Sequence, residues 1–202
     1  MKNSLRLASA FILIFATVAY AGPYDRRGFS MGLDLQYIYI LDDKLTDSVN
    51  YLLGAKLNGR YIFKNPSFFC GIEAGYLHGS SDKKYQYFSY SAIPLMIGAG
   101  YEFLPKKIFN IEIGLFGGIV FQDYAQDWKN EASDFSHKQD IRNGDRIHDA
   151  FTLAPSIGFD IKWNRNGGVR IESDYLKDLS TDKTTIGKLT GLVVGVGAFM
   201  QF

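Results

Sequence analysis

Apolar and polar residues alternate along most of this chain. In the clearest stretch, Phe29 to Leu41, the odd positions are all apolar or aromatic, whereas the even positions include Ser30, Asp34 and Gln36. A strand sends alternate residues to opposite faces, but a helix would mix the two sets. The alternation recurs eight times and predicts strands at about 29–41, 51–63, 68–78, 85–103, 108–121, 150–163, 169–175 and 189–202.

Two prolines fall inside this pattern. Pro94 lies in the fourth predicted strand and Pro155 in the sixth. Proline has no N–H to donate to the ladder of a sheet. Each of them therefore predicts a bulge or another irregularity in its strand.

The N-terminus has the features of an export signal. Lys2 and Arg6 precede and flank an apolar stretch, Leu7–Val18, and Ala19–Ala21 matches an A-x-A cleavage site. The predicted organisation is a cleaved signal peptide at 1–21 followed by a single domain at 22–202.

Composition narrows the class of protein. The chain has 22 Lys and Arg against 21 Asp and Glu, so it lacks the excess of basic residues that is typical of nucleic-acid-binding proteins. We therefore expect no nucleic acid among its partners. A mean hydropathy of −0.07 is that of a soluble protein. A membrane barrel has the same average, because only every second strand residue faces lipid. Cys70 is the single cysteine, which excludes an internal disulfide.

The connections between the predicted strands are unequal. Those after strands two, four and six are short, whereas those after strands one, three, five and seven are longer and more polar. A soluble sandwich or a lipocalin-like barrel also alternates, with its apolar face inward. Short turns at one end and longer loops at the other are typical of transmembrane barrels. The asymmetry therefore favours an eight-stranded antiparallel up-and-down transmembrane β-barrel.

Aromatic residues on the apolar face gather near both ends of the strands. Aromatic side chains are favoured at the two interfaces of a membrane, so a transmembrane barrel carries two such belts. The core of a soluble protein is not expected to separate its aromatic residues in this way. At the short-turn end we assign these membrane-interface aromatics: Phe63, Phe68, Tyr101, Phe103, Phe109, Trp163 and Phe202.

The opposite face carries charges of both signs together with many glycines. Eight strands enclose a lumen only wide enough for side chains, so opposite charges there are expected to pair and to stabilise the barrel. The predicted lumen network contains Asp34, Lys56, Arg60, Glu73, Glu102, Glu112, Asp160, Lys162, Arg170, Glu172 and Asp174.

With these features together, the chain resembles the OmpA/OmpX-type and opacity-like small outer-membrane barrels. The eight strands, the segment Ser91–Phe103 and the terminal aromatic Phe202 carry the resemblance. It implies a location in the bacterial outer membrane, with lipid and lipopolysaccharide as surroundings. It also implies that the barrel assembly machinery reads the last strand through Phe202.

One short motif suggests chemistry. His78-Gly79-Ser80 resembles the His-x-Ser of lipid A deacylase barrels, with Ser80 as nucleophile and His78 as base. The motif in that family continues with Asn, but Ser81 stands here, and no outward carboxylate is expected nearby. We therefore predict a protein that is not an enzyme and keep an acyl hydrolase as an alternative.

The long polar segment 123–148 is the chief candidate for recognition. Its aromatics Trp128 and Phe135 stand among charges, as anchors of a binding surface do, although they would equally pack onto the rim. His137 and His148 flank the segment, but their spacing matches no metal-ligand pattern, so we expect neither metal nor cofactor.

These observations predict a rigid barrel that displays loops. The loops would contact a host or cell-surface ligand, or the barrel would simply stabilise the envelope. A narrow channel for small or hydrophobic solutes is the other alternative.

Overall fold

The computed structural model describes residues 28–63, 67–82, 86–104, 108–128, 149–164, 166–180 and 188–202, with the backbone alone at 86 and 126–128. The predicted signal peptide lies outside these residues.

Eight antiparallel strands form one closed barrel in chain order. The last strand pairs with the first, for example through Leu33 opposite Ala198, so the barrel has no open edge there. This confirms the predicted fold class. The strands are β1 (Gly28–Ile40), β2 (Tyr51–Ile62), β3 (Phe68–Asp82), β4 (Gln86–Glu102), β5 (Phe109–Trp128), β6 (Ala150–Asn164), β7 (Gly167–Asp178) and β8 (Gly191–Gln201).

A short helix, α1 (Asp43–Thr46), lies in the connection between β1 and β2. Asp42 caps it, because its side chain accepts a hydrogen bond of 3.1 Å from the backbone N–H of Leu45. The predicted strand pattern did not include this helix. Among the described residues, no helix has the length and apolar character needed to cross a membrane.

Strands β3 and β5 are longer than the sequence pattern predicts. β3 continues to Asp82 and β5 to Trp128, so only three residues separate β3 from β4. The prediction of a longer loop after the third strand is therefore wrong. Polar residues on both faces are typical of a loop, but here they continue the ladder with β4 beyond the apolar band.

The three strands β3, β4 and β5 extend beyond the rest of the barrel. β2 pairs with β3 only as far as His78, and β6 pairs with β5 only as far as Val120. Beyond those residues, β4 still pairs with both neighbours. We call residues 79–82, 86–90 and 121–128 the outer extension.

Both internal prolines interrupt a ladder without shifting its register. Pairing between β3 and β4 skips Gly75 and Tyr76, which stand opposite Pro94 and its neighbour. Pairing between β6 and β7 skips Pro155 in the same way. The expected irregularity is present at each proline, but it is the loss of a donor and not an inserted residue.

The outward face of the barrel is apolar around its whole circumference. Leu35, Ile72 and Ile97 are each 65–69% exposed, and they lie in the middle of their strands. Soluble proteins rarely expose a continuous apolar surface of this kind, whereas a transmembrane barrel requires it. The wall therefore matches a hydrocarbon environment.

Aromatic rings lie on the outer face at the short-turn end. All seven residues assigned there from the sequence are exposed on the wall or beside it. Several contact one another, with ring centroids 5.4 Å apart for Phe68 and Tyr101 and 5.2 Å apart for Tyr101 and Phe103. The ring of Phe202 lies 6.5 Å from that of Phe29, where the last strand meets the first.

Gly118 on β5 is a position at which a side chain does not fit. A Cβ there would contact the backbone oxygen of Leu95 and would lie 2.7 Å from the Cα of Met96. We expect Gly118→Ala to lower the free energy of unfolding by about 1–3 kcal/mol, because backbone has to move. Denaturant titration of the barrel refolded into lipid measures this value.

Gly158→Ala is the matched control. Its Cβ would lie 3.6 Å from the Glu112 side chain and 4.0 Å from the backbone oxygen of Ile171, both ordinary contacts. Its stability is expected to change by less than about 1 kcal/mol. Equal losses in the two variants would contradict the close packing at Gly118.

Candidate functional site

The interior of the barrel is filled by two layers of side chains. The layer nearer the short turns is charged, and we call it the charged layer. All eleven residues of the predicted lumen network are buried, each at most 7% exposed. Because they are shielded from bulk solvent, these charges must be balanced largely by one another.

Lys56 on β2 is surrounded by three carboxylates. Its Nζ lies 3.2 Å from Glu73, 3.2 Å from Glu172 and 3.4 Å from Asp174. These acids belong to β3 and β7, so one ammonium group joins three strands across the lumen. Its four-carbon stem makes this reach feasible from a wall position.

Arg60, two inward positions further along β2, contacts two of these acids, Glu73 and Glu172, and adds Glu112. Its Nη1 lies 2.5 Å from Glu112, and its Nη2 lies 3.3 Å from Glu73 and 3.2 Å from Glu172. The guanidinium carbon also lies 5.0 Å from the centre of the Phe69 ring. A planar, permanently charged group suits this combination of carboxylates and aromatic face.

Arg170 on β7 completes the pairing. Its Nε donates to Asp160 over 2.8 Å, and its Nη2 donates to Glu112 over 3.0 Å. Asp160 stands directly opposite Arg170 in the ladder between β6 and β7. Asp34 on β1 accepts a hydrogen bond of 2.6 Å from Asn58. The charged layer thus connects strands on opposite sides of the barrel.

Three carboxylates of this layer lie close enough together to suggest a cation site. Oxygens of Glu102, Glu112 and Asp160 are within 4.8 Å of one another. Arg170, however, donates hydrogen bonds to two of the three, and it supplies the positive charge that a metal would bring. We therefore interpret the group as part of the ion-pair network.

The layer nearer the long connections is apolar, which the alternation along the sequence does not predict. It lies inside the lumen, so the simple rule of apolar outside and polar inside fails at this height. Its main members are Ile38, Ile40, Leu52, Leu77, Met96, Val120, Leu176 and Val193. A signal was present at Tyr37–Leu41, where five consecutive apolar residues indicate a strand covered on both faces.

Residues from two connections close the lumen above the apolar layer. Leu45 of α1, Val49 and Leu189 are all at most 1% exposed and belong to the same apolar cluster. The two connections also contact each other, since the N–H of Leu41 donates to Thr190 over 2.8 Å. We call Leu45, Val49 and Leu189 the apolar cap.

The inner side of the outer extension covers the cap. The Phe88 and Tyr124 ring centroids are 6.1 Å apart, and the Tyr124 hydroxyl lies 3.4 Å from Ser48. Tyr90 is fully buried and donates to Gln122 over 2.6 Å. The mouth is therefore packed by the described residues of the extension and of the cap.

His78 does not pair with Ser80. Its Nδ1 lies 3.0 Å from the hydroxyl of Ser91 on β4, which also lies 3.3 Å from the Tyr76 hydroxyl. Residues two apart on one strand are separated by about 7 Å, whereas directly opposite residues approach to about 5 Å. The serine assigned from the sequence motif is thus the wrong partner for His78.

The predicted loop residues are only partly within the described chain. Trp128 is the last residue of β5 and not a loop residue, because the strand continues past the apolar band. Phe135, His137 and His148 lie outside the described residues. The assignment of Trp128 and Phe135 to a binding surface stays a prediction.

Lys56 is the sharpest test of the charged layer. We expect Lys56→Met to lower the free energy of unfolding by about 3–5 kcal/mol, because three buried carboxylates lose a partner. Lys177→Met, on the exposed face of β7, is the control and should stay within about 0.5 kcal/mol. Denaturant titration in lipid measures both; a harmless Lys56→Met would refute the ion-pair assignment.

Comparisons with known proteins rest on structure alone. No family model matches the chain, and no curated protein matches it by sequence. Among solved structures, OprG from Pseudomonas aeruginosa is similar with a TM-score of 0.59 at 12% identity, covering 88% of this chain and 97% of OprG.

Two further structures show the same architecture. Neisserial surface protein A has a TM-score of 0.59 at 11% identity, over 87% of this chain and 97% of its own. Ail, the attachment invasion locus protein of Yersinia pestis, has a TM-score of 0.50 at 12% identity, over 88% of this chain and 100% of its own. The chain therefore has the fold of the small outer-membrane β-barrels, as its sequence resemblance implied.

Proposed function

We propose that this protein is an integral outer-membrane barrel that is not an enzyme. It acts as a rigid scaffold that presents its outer extension and long connections for surface interaction, or it stabilises the envelope. The observation that carries the proposal is the combination of an apolar outer wall and a lumen filled by the charged layer, the apolar layer and the cap. Export by the signal peptide at 1–21 belongs to the same proposal.

The orientation follows from the unequal ends of the barrel. Short periplasmic turns and longer external connections are the rule for such barrels, so the outer extension would face the exterior. The wall would contact lipid and lipopolysaccharide. Phe202, whose N–H donates to Phe29 over 2.8 Å, would be the residue that the barrel assembly machinery reads.

A surface role has two supports. Two of the structurally similar proteins are named as a neisserial surface protein and an attachment invasion locus protein. The outer extension also raises part of the sheet above the apolar band, where side chains such as Ser80 and Asp82 are exposed. We assign recognition of a host or cell-surface ligand to this end, including Trp128 and Phe135.

An acyl hydrolase receives little support from the geometry. The His78 ring contacts Ser91, but among the described residues no carboxylate hydrogen-bonds to that ring. A catalytic histidine needs such a group to orient it and to stabilise its charged form. The wall around Ser91 also consists of paired strands, whose N–H groups are engaged in the ladder.

Cysteine labelling on intact cells tests the location and the orientation. Ser80→Cys in a Cys70→Ser background should react with a membrane-impermeant maleimide, because residue 80 is exposed in the outer extension. Native Cys70 lies on the apolar wall between Phe68 and Ile72, so lipid should protect it until detergent is added. Labelling of Cys70 but not of residue 80 would contradict the proposed orientation.

Conductance distinguishes the scaffold from a narrow channel. We expect no stepwise currents in planar lipid bilayers, because paired charges and apolar side chains fill the lumen. Regular steps that persist in the purified protein would favour the channel. Lys56→Met in the same bilayers is the control for leakage through a loosened barrel.

A further inference from the structure

The outer wall changes from apolar to polar at one row of residues on β3, β4 and β5. His78 stands directly opposite Ser91 in the ladder between β3 and β4, and Ser91 stands opposite Asp123 between β4 and β5. In the next row towards the short turns, Ile93 and Phe121 are 45% and 42% exposed on the same outward face. His78, Ser91 and Asp123 are thus the first polar row beyond the apolar wall on these strands, and we call them the boundary row.

Hydrogen bonds and ring stacking hold the histidine of the boundary row in place. The Ser91 hydroxyl lies 3.0 Å from His78 Nδ1 and 3.3 Å from the Tyr76 hydroxyl. The Tyr76 and His78 rings are stacked, with their planes 4° apart and their centroids 6.5 Å apart. The His78 side chain is exposed, and no described residue hydrogen-bonds to its other ring nitrogen, Nε2. Nε2 is therefore available to a ligand outside the barrel.

The other end of the boundary row carries a negative charge. The Asp123 side chain is exposed, and no described residue forms an ion pair with it. Directly opposite residues of antiparallel strands have their Cβ atoms about 5 Å apart, so the Cβ atoms of His78 and Asp123 are separated by about 10 Å, with Ser91 between them. A ligand that lies over Ser91 is within reach of both side chains.

The two ends of the row select a ligand with both charges. An imidazole N–H donates to phosphate oxygens, whereas a carboxylate accepts hydrogen bonds from an ammonium group. Asp123 repels a ligand that is only anionic, and the His78 N–H contributes nothing to the binding of a simple ammonium ion. In phosphoethanolamine, two carbons join a phosphate to a primary ammonium group. This group can place one charge on each side of Ser91.

The wall beside the boundary row indicates that such a ligand has an apolar tail. Ile93, Leu95 and Phe121 are exposed on the same face, directly towards the short turns. A free polar molecule gains nothing from this surface, whereas acyl chains are transferred favourably onto it. Polar groups at the edge of an apolar band are also where the headgroups of a membrane lie. The surroundings therefore fit a lipid.

We propose that the boundary row and Tyr76 bind the phosphoethanolamine headgroup of one membrane lipid. His78 Nε2 donates to the phosphate, the Asp123 carboxylate accepts from the ammonium group, and Ser91 lies beneath the headgroup. Tyr76 donates to Ser91 and Ser91 donates to His78 Nδ1, which places the ring proton on Nε2. The inference rests on the proposed membrane location and adds which headgroup the wall selects.

Lipid selectivity in nanodiscs tests this site. The full chain is refolded into nanodiscs that contain equal amounts of phosphatidylethanolamine, phosphatidylcholine and phosphatidylglycerol, and native mass spectrometry counts the lipids that remain on the released protein. We expect one retained phosphatidylethanolamine, preferred about tenfold over phosphatidylglycerol, which lacks the ammonium group and one charged hydrogen bond. Phosphatidylcholine should also be retained less, because its ammonium group has no N–H.

Two variants separate the two ends of the site. His78→Phe keeps an aromatic ring beside Tyr76 but removes the N–H, and it should lower the retention of phosphatidylethanolamine about tenfold. Asp123→Asn keeps the size of the side chain but removes its charge, and it should abolish the preference over phosphatidylglycerol. Lys177→Gln, on the exposed face of β7, is the matched control and should leave the retention and the preference unchanged.

Two results would overturn the proposal. Equal retention of the three lipids by the wild-type protein would mean that the boundary row selects no headgroup, whether or not the variants fold. A wild-type preference for phosphatidylglycerol that Asp123→Asn increases would mean a site for an anionic phosphate instead. Cysteine labelling on intact cells reports the location independently, so a failure of the proposed function and a failure of this site are distinguishable.

Discussion

Closure of eight strands into one barrel is the constraint on which the rest of this structure depends. A barrel of this size leaves a lumen that side chains alone can fill, so each inward residue must pack against residues from the opposite wall. Charged residues in that space have no access to bulk water and must find partners. Lys56, Arg60 and Arg170 meet this demand by contacting carboxylates from β3, β5, β6 and β7. The ion pairs are thus a consequence of closure and also a reason that the closed form is specific.

The division of the lumen into two layers supports the proposed scaffold role. The charged layer ties distant strands together near the short turns, and the apolar layer with its cap seals the other end. A lumen filled in this way favours the proposed scaffold over a channel. Under the proposed function, recognition would then fall to outward side chains of the outer extension, such as Ser80 and Asp82, which are exposed.

Most of the fold was predictable, because a strand with one face in lipid must alternate with a period of two. The eight strands, the two faces and all eleven lumen charges follow from that period. The ends of β3 and β5 were not predictable, since beyond the membrane neither face has to be apolar and the alternation disappears. The apolar layer was not predictable from the alternation for a related reason. At Tyr37–Leu41 both faces of the strand are apolar, whereas the rule that apolar residues face outward assigns them to the lipid side alone.

The sequence by itself determined which residues face the lumen and which face outward, since that assignment depends only on local backbone geometry. Only the tertiary structure decided which charges meet. Lys56 and Asp174 are 118 positions apart, and their contact depends on the register of every strand between them. It likewise decided that His78 lies beside Ser91 and not beside Ser80. Register and closure are properties of the whole barrel, so no single stretch of sequence encodes them.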